Sequence, residues 1–177
     1  MDIILDTTVL SNFASVDALN LIKRLFGVVY TTHEVHEEIL RGISRGYQYL
    51  EDVDHEMSFD EAGWLQVIAI CSHTEHHSMN DLLKRLGMGE SSCIAIAKSR
   101  KMIFMSDDRT ARRIAKENGV LISGTIGILM RCVDKNIISF LEGNIILAGM
   151  IREGYMSPVN SLEAILSLTG GGKDEPN

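Results

Sequence analysis

The residues of this chain whose types and spacing could do chemistry are acids at four widely separated positions. Asp6 ends an apolar run, Glu38 and Glu90 fall on predicted helices, and Asp107 with Asp108 ends another apolar run. A carboxylate near a hydrophobic core costs free energy unless another group pairs with it. Acids at strand ends and on core-facing helix sides therefore indicate a shared partner, and a divalent metal ion suits that role.

Each acid also has an ordinary structural interpretation. Asp6 suits a turn or a helix N-cap, and Asp108 could simply cap the helix that follows it. Glu90 aligns, at about 100° per residue, with Cys93 and Ile94 on the face expected to pack inward. A glutamate in a first helical turn can equally serve to compensate the helix dipole.

Glu38 is preferred over its neighbour Glu37 because of its place on the helix. Glu37 precedes Arg41 by four residues, which favours a surface ion pair worth about 0.2–0.5 kcal/mol. Glu38 lies closer to Val35 and Ile39, at the edge of the apolar stripe. We therefore expect Glu38 to face the site.

Gathering these acids would be unfavourable without a cation. Two unit charges about 4 Å apart repel by about 4 kcal/mol at an effective dielectric of about 20. Oxygen ligands without His or Cys select Mg²⁺ or Mn²⁺ over zinc. Magnesium commonly meets phosphate oxygens, so the set predicts phosphodiester hydrolysis by a metal-activated water.

The elements that must position the acids alternate along the chain. Apolar runs predict strands at 3–5, 28–31, 64–70, 102–105 and 120–122. Helical periodicity predicts helices at 16–26, 34–45, 78 or 80 to 86, 90–100, 108–118, 125–132, 140–153 and 161–168, with a mobile excursion or irregular helix at 46–63. This alternation indicates a parallel α/β sheet. Such sheets bind ligands outside the carboxyl ends of their strands, where Asp6 and Asp107 fall.

Composition indicates one domain. A chain of 177 residues with 45% hydrophobic content suits a single domain over 1–169, and the Gly-rich, charged stretch 170–177 predicts a disordered tail. The net charge of −7 argues against a protein that coats nucleic acid indiscriminately. It does not argue against a nucleic-acid enzyme whose acids hold metal.

Cysteine usage indicates a reducing compartment. The three cysteines lack a CxxC spacing, and we find no membrane-spanning run and no targeting segment, so a cytoplasmic protein is expected. Cys71, His73, His76 and His77 have spacings that could bind zinc. Because they lie in a polar connection without a second paired motif, we expect them on the surface.

Four segments together resemble a known family: IILDTTVLSNFA, VHEEIL, GMGESSCIAIA and FMSDDRTARRIAKENGVLISGTIGIL. Their order resembles PIN domains, especially the bacterial and archaeal branch related to VapC toxins. The resemblance covers about residues 3 to 150 and is carried most specifically by the DDR-x-x-R and GTxGIL segments. It implies a three-layer α/β/α sandwich around a central parallel sheet and a ribonuclease site dependent on Mg²⁺ or Mn²⁺.

The resemblance also implies roles for single residues. Asp6, Glu38 and Glu90 match the first three catalytic acids, and Asp107 or Asp108 matches the fourth. Metal ligands are then expected among Asp6, Glu90, Asp107 and Asp108, binding one ion or two. The positions that match supporting polar residues of the family are Thr7, Thr8 and Asn12. Many relatives are toxins that form homodimers and are silenced by a small antitoxin, so both partners are implied.

Basic residues must hold the RNA backbone. Arg109, Arg112 and Arg113 follow the last acids on one predicted helix, with Lys116 on the same helix. A local positive rim is therefore expected despite the acidic total, although such a run can also be a solvated helix face. Few aromatic residues are present, which does not suggest a base-stacking platform that reads sequence.

Two other functions compete with this prediction. A haloacid-dehalogenase-like phosphotransferase also begins with a strand followed by Asp-x-Thr, but it leaves Glu38 and Glu90 unexplained. A non-catalytic PIN-like module that binds RNA or protein would need none of the acids. The presence of all four favours the enzyme.

Overall fold

A single parallel sheet organises the chain in a computed structural model that describes residues 1–60 and 62–170. Its strands are β1 (Ile3–Leu5), β2 (Val29–Thr32), β3 (Met57–Ser58), β4 (Leu65–Ile68), β5 (Ile103–Met105) and β6 (Ile122–Ser123). They lie in the order β3-β4-β2-β1-β5-β6, and every neighbouring pair is parallel. The predicted parallel sheet is confirmed.

Ten helices within the described residues surround the sheet. They are α1 (Thr7–Ala14), α2 (Leu19–Phe26), α3 (His33–Ser44), α4 (Leu50–Glu56), α5 (His73–Leu82), α6 (Met88–Arg100), α7 (Arg109–Glu117), α8 (Thr125–Asp134), α9 (Phe140–Arg152) and α10 (Glu163–Gly170). Helix α6 lies on β1, β2 and β5 and packs against α3 and α5, while α1 packs against α2, α3, α4 and α8. The result is the expected three-layer α/β/α fold.

The core sits on the central strands. Ile4 and Leu5 of β1 and Phe104 of β5 are fully buried because helices cover the sheet. This explains why β1 reads as a continuous apolar run rather than an alternating one. Each fully buried side chain of this size contributes about 1.5–3 kcal/mol relative to an exposed one.

Three local predictions differ in part from the structure. The predicted helix at 16–26 begins only at Leu19, and a separate helix, α1, starts at Thr7 directly after β1. The stretch 46–63, predicted as a mobile excursion or an irregular helix, contains the helix α4 and the short strand β3. Helix α5 ends at Leu82, and it begins directly after Ser72 rather than near residue 78 because Ser72 and Glu75 form a capping box there. The disordered tail was predicted for residues 170–177. Of these, residues 171–177 lie outside the described residues.

Candidate carboxylate site

Asp6 lies at the topological switch point of the sheet. The chain leaves β1 toward β2 on one side, while β5 lies on the other side and pairs Met105 with Leu5. Asp6 is only 1% exposed and caps α1, where its Oδ1 accepts hydrogen bonds from Thr8 N at 3.0 Å, Thr8 Oγ1 at 2.7 Å and Val9 N at 3.2 Å. Its Oδ2 is buried and accepts no hydrogen bond of ordinary geometry within the described residues, although the Ser106 hydroxyl lies close enough to help stabilise the carboxylate. A ligand bound at this oxygen would remove the cost of leaving it without a partner.

Burial raises the pKa of Asp6 to about 7. The nearby hydroxyls of Ser106 and Thr8 and the amide of Val9 lower the pKa and so oppose this effect, while the negative charge of Asp107 raises it further. The ionised carboxylate is therefore costly in the protein alone. A cation would offset that cost.

Asp107 stands beside Asp6 at the carboxyl end of β5, and four donors hold its carboxylate. Oδ2 accepts from Asn12 Nδ2 at 2.9 Å and Thr125 Oγ1 at 2.6 Å. Oδ1 accepts from Thr125 N at 3.1 Å and from the Tyr155 hydroxyl at 3.3 Å. The Asp107 amide donates to Thr8 Oγ1 at 2.9 Å, so Thr8 links the two aspartates.

Glu38 reaches the site from the second turn of α3. One carboxylate oxygen accepts a hydrogen bond from the Thr7 hydroxyl, and the other accepts from Gly89 N at 3.1 Å. A Cβ at position 89 would lie 2.7 Å from Glu38 Oε2. Glycine at 89 therefore lets the backbone of α6 approach this carboxylate, whereas Glu37 is exposed.

Glu90 is in the first turn of α6. As the sequence suggested, it both serves the start of the helix and faces inward. Its Oε2 accepts from Gly87 N at 3.0 Å, which completes a capping arrangement, yet the side chain is half-buried. Burial raises its pKa, and the negative charges of Asp108 and Glu38 raise it further. Glu90 therefore lies among carboxylates rather than on a solvated face.

Asp108 is the N-cap of α7, the structural role that the sequence also allowed for it. Its Oδ1 accepts from Ala111 N at 2.7 Å. The charge of Asp107 raises the pKa of Asp6, and the charge of Asp108 raises the pKa of Glu90, so each aspartate lies near a different one of these two acids.

The donor set fits a hard cation. Within residues 1–60 and 62–170, no three His, Cys, Asp or Glu side chains form a ready-made metal-binding group. The acids nevertheless offer a metal ion only oxygen ligands. Two of them, Asp6 and Glu90, have raised pKa values, and Asp6 Oδ2 is buried without a hydrogen-bond partner among the described residues. These features match the oxygen preference of Mg²⁺ and Mn²⁺.

Comparison with protein families identifies the family of the fold. The model of a family described as a PIN domain matches residues 2–171. The chain belongs to the PIN-domain family. PIN domains are generally nucleases and typically use divalent metals. No match was found among the curated proteins.

Basic side chains of this PIN domain line a cavity of about 410 Å³ on α7, formed by Arg109, Arg112, Arg113, Lys116, Glu117 and Ile122. Arg109 and Lys116 are exposed, and Arg113 pairs with Glu117 at 2.6 Å. Arg112 differs, since its Nη1 donates to the carbonyls of Ser106 and Ser123 at 2.6 and 2.5 Å. It ties the ends of β5 and β6 together.

The residues considered for zinc make other contacts. Arg100 Nη2 lies 3.3 Å from Cys71 Sγ, and His77 pairs with the exposed Asp81 at 3.4 Å. His73 and His76 are exposed on α5. Separately, none of the helices described is long and apolar enough to cross a membrane.

Sequence reasoning gave no role to three residues that shape the site. Thr125 is buried and donates twice to Asp107, and Gly89 makes room for Glu38. The GTxGIL segment contains Thr125 and was the available signal for it. Tyr155 lies 48 residues from Asp107 in sequence, and no motif marks it.

Proposed function

We propose that this PIN domain is a metal-dependent endoribonuclease that hydrolyses RNA phosphodiester bonds with Mg²⁺ or Mn²⁺. The observation that supports it most strongly is the buried, unpartnered Oδ2 of Asp6 in a group of carboxylates at the switch point of the sheet. A buried carboxylate oxygen without a donor is costly unless it binds a ligand. The family match supplies the nuclease-type fold.

The metal ligands in this proposal are Asp6, Glu90, Asp107 and Asp108, with Asp107 on the Asp6 side and Asp108 on the Glu90 side. The bound ion would polarise the scissile phosphate and lower the pKa of the attacking water. Glu38 completes the acidic group.

The surrounding residues hold these acids in place. Thr8 orients Asp6, Asn12 and Thr125 orient Asp107, and Thr7 together with the Gly89 amide orients Glu38. Fixed carboxylates keep the geometry needed for catalysis without reorganisation during the reaction.

The RNA backbone is held by the exposed charges of α7. Arg109 and Lys116 are the cations most available for phosphate contacts, and Arg113 can exchange its partner Glu117 for a phosphate. Arg112 supports this surface by fixing the strand ends beneath it.

We also propose that the protein is the toxin of a toxin–antitoxin pair and forms a homodimer in the cytoplasm. The support is the order of the four motifs shared with VapC-like proteins. Light scattering should give twice the mass of one chain. A small antitoxin-like reading frame beside the gene is expected, and its product should bind this protein and stop cleavage.

Cleavage of single-stranded RNA, assayed with Mg²⁺, Mn²⁺ or EDTA, tests the proposal. We expect cleavage with either ion, none in EDTA, and none by the Asp6→Asn variant. Activity that survives this substitution, or that depends on zinc, would remove the proposed site. Absence of cleavage by the wild-type protein would favour a non-catalytic RNA- or protein-binding module. A phosphorylated Asp6 would favour a haloacid-dehalogenase-like phosphotransferase, a family that the comparison does not support.

A further inference from the structure

The segment after α9 forms a wall beside Asp107. Gly154 has a φ of 106°, a conformation that favours glycine, and it reverses the chain directly after the helix. Tyr155 N donates to Met150 O at 2.9 Å, and Ser157 N donates to Tyr155 O at 3.0 Å. These bonds fix the backbone of Tyr155, whose hydroxyl meets Asp107 at 3.3 Å.

Two cavities adjoin this segment. The larger, of about 440 Å³, includes Asp107, Arg109, Arg112, Ile122, Tyr155 and Pro158 in its lining. The smaller, of about 320 Å³, includes Thr8, Ser11, Asn12, Asp107, Asp108 and Tyr155. Both cavities share Asp107, Tyr155 and Met156. An RNA strand with one phosphate at Asp107 would therefore have its neighbouring nucleotides near these two cavities.

The larger cavity has the lining that a nucleobase requires. Tyr155 contributes an aromatic ring, and Ile122, Ile126 and Pro158 contribute apolar surface. Arg109 adds an exposed guanidinium at the same cavity. Its volume falls in the range of about 300–1,000 Å³ typical of small-molecule sites. The smaller cavity is instead lined mainly by polar residues, among them Ser11, Asn12 and Asp108.

We propose that the larger cavity binds the base of the nucleotide next to the scissile phosphate, with the Tyr155 ring as its stacking surface. The proposal deepens the ribonuclease function and rests on it. The argument depends on Asp107, which lines this cavity and also belongs to the acidic group. A base that fills the cavity must therefore be only a few bonds away from the phosphate held by the acids. Stacking of one base on an aromatic side chain contributes about 1–3 kcal/mol.

Abasic RNA tests this subsite. A short RNA with one cleaved bond is compared with derivatives that each lack a single base near that bond. Binding is measured by fluorescence anisotropy in EDTA, where the RNA stays intact, and kcat/KM is measured with Mn²⁺. Tyr155→Leu removes the aromatic face but keeps apolar volume, and Tyr155→Phe removes only the hydroxyl. Phe59→Ala is the control, because it removes another exposed aromatic ring, one that packs on His33 and His36.

We expect one abasic position to weaken wild-type binding and kcat/KM by about tenfold. Measured against Tyr155→Phe, which likewise lacks the hydroxyl that meets Asp107, Tyr155→Leu should show the same loss on intact RNA and no further loss on that abasic RNA, since the leucine and the missing base each remove the same contact. Tyr155→Phe and Phe59→Ala should keep the wild-type discrimination.

Two results would overturn the subsite, and they differ from failure of the function. If wild-type protein cleaves RNA but no abasic position matters, or the two losses simply add, the larger cavity does not bind a base. If wild-type protein neither binds nor cleaves RNA, the ribonuclease proposal fails and the subsite with it.

Discussion

Asp6 is a single residue that lowers the stability of the folded protein and at the same time provides a group that can bind a ligand. Its Oδ1 serves the protein by capping α1, while its buried Oδ2 has no partner among the described residues. A buried charge without a partner destabilises the folded state. Functional sites commonly carry this kind of local cost.

Asp6→Asn should therefore stabilise the metal-free protein at pH 8. The substitution removes a buried negative charge and keeps an acceptor oxygen for the cap, so we expect a gain on the order of 1 kcal/mol. In a chain of this size that gain corresponds to a rise of about 2–4 °C in Tm. Thermal unfolding in EDTA measures it, with the exposed Asp2→Asn as the neutral control. A lower Tm for Asp6→Asn would show that its carboxylate is not strained.

The positions of single acids were predictable to the extent that they depend on local pattern. Asp6 and Asp107 follow strands, and the apolar stripe distinguishes Glu38 from Glu37. The contacts of Tyr155 and Thr125 with Asp107 depend on how distant segments return to the sheet, which periodicity does not encode. The catalytic roles of the acids remain predictions.

At the scale of elements, the amino-terminal turn of α6 sets the spacing between two acids. Gly89 N donates to Glu38, and Gly87 N donates to Glu90. The two glycines differ in what surrounds them. A Cβ at 89 would lie 2.7 Å from Glu38 Oε2, whereas a Cβ at 87 would lie no closer than 3.6 Å to Glu90 Oε2.

Gly89→Ala should therefore impair cleavage, and Gly87→Ala should not. The new methyl group at 89 pushes the Glu38 carboxylate away, and a displacement of about 1 Å can cost on the order of 100-fold in rate. We expect a loss of kcat of at least about tenfold with an unchanged circular dichroism spectrum. Equal rates for the two variants would mean that the placement of Glu38 is unimportant.

Helix α5 illustrates a stabilising pair away from the site. Glu75 is 2% exposed and caps its own helix through Cys71 N and Ser72 N, while Arg100 Nε donates to it at 2.8 Å. These bonds, led by that from Arg100, lower the pKa of Glu75 to about 2. A lowered pKa in the folded state means that the stabilisation is present above about pH 4.5 and is lost as the pH falls toward 2.

Glu75→Gln should lower the free energy of unfolding at pH 7 by about 2 kcal/mol, since hydrogen bonds to a charged group contribute about 1.5–3 kcal/mol. The variant should also lose less stability than the wild type between pH 5 and pH 2. Urea unfolding at several pH values measures both effects. Glu117→Gln is the matched control, because its ion pairs with Arg85 and Arg113 are exposed and should contribute little. Similar losses for both variants would contradict the assignment.

The elements were predictable where they are long and periodic or short and apolar. The predicted helix at 34–45 is α3, and the predicted strand at 102–105 is β5. Helix α1 was missed because it starts with two threonines and a valine, which favour helix weakly. The start of α5 was missed although Ser72 and Glu75 form a capping-box pattern that signals it.

At the scale of the whole molecule, an acidic protein must attract an acidic polymer through a local surface. The chain carries a net charge of −7, yet α7, which begins after Asp108, presents exposed Arg109 in its first turn and exposed Lys116 in its last. RNA binding should therefore involve few phosphates. A small number of contacts gives a shallow dependence of affinity on salt.

Replacing both Arg109 and Lys116 by Gln should weaken RNA binding and flatten its salt dependence. Each lost phosphate contact should reduce the slope of log K against log salt by about 0.7 for a single strand, or about 1.4 for both. Fluorescence anisotropy across a salt series measures the slope. Lys135→Gln is the control, because Lys135 lies at the opposite end of α8 from Thr125. This variant should leave the slope unchanged. An unchanged slope in the double variant would place RNA elsewhere.

Calorimetric titration with Mn²⁺ tests the central claim most directly, because it asks whether distant acids of this PIN domain form one metal site. We predict that the wild-type protein takes up Mn²⁺ with a measurable binding isotherm, and that Asp6→Asn loses this uptake while Asp2→Asn keeps it. Absence of uptake by the wild-type protein, or equal uptake by Asp6→Asn, would contradict the account.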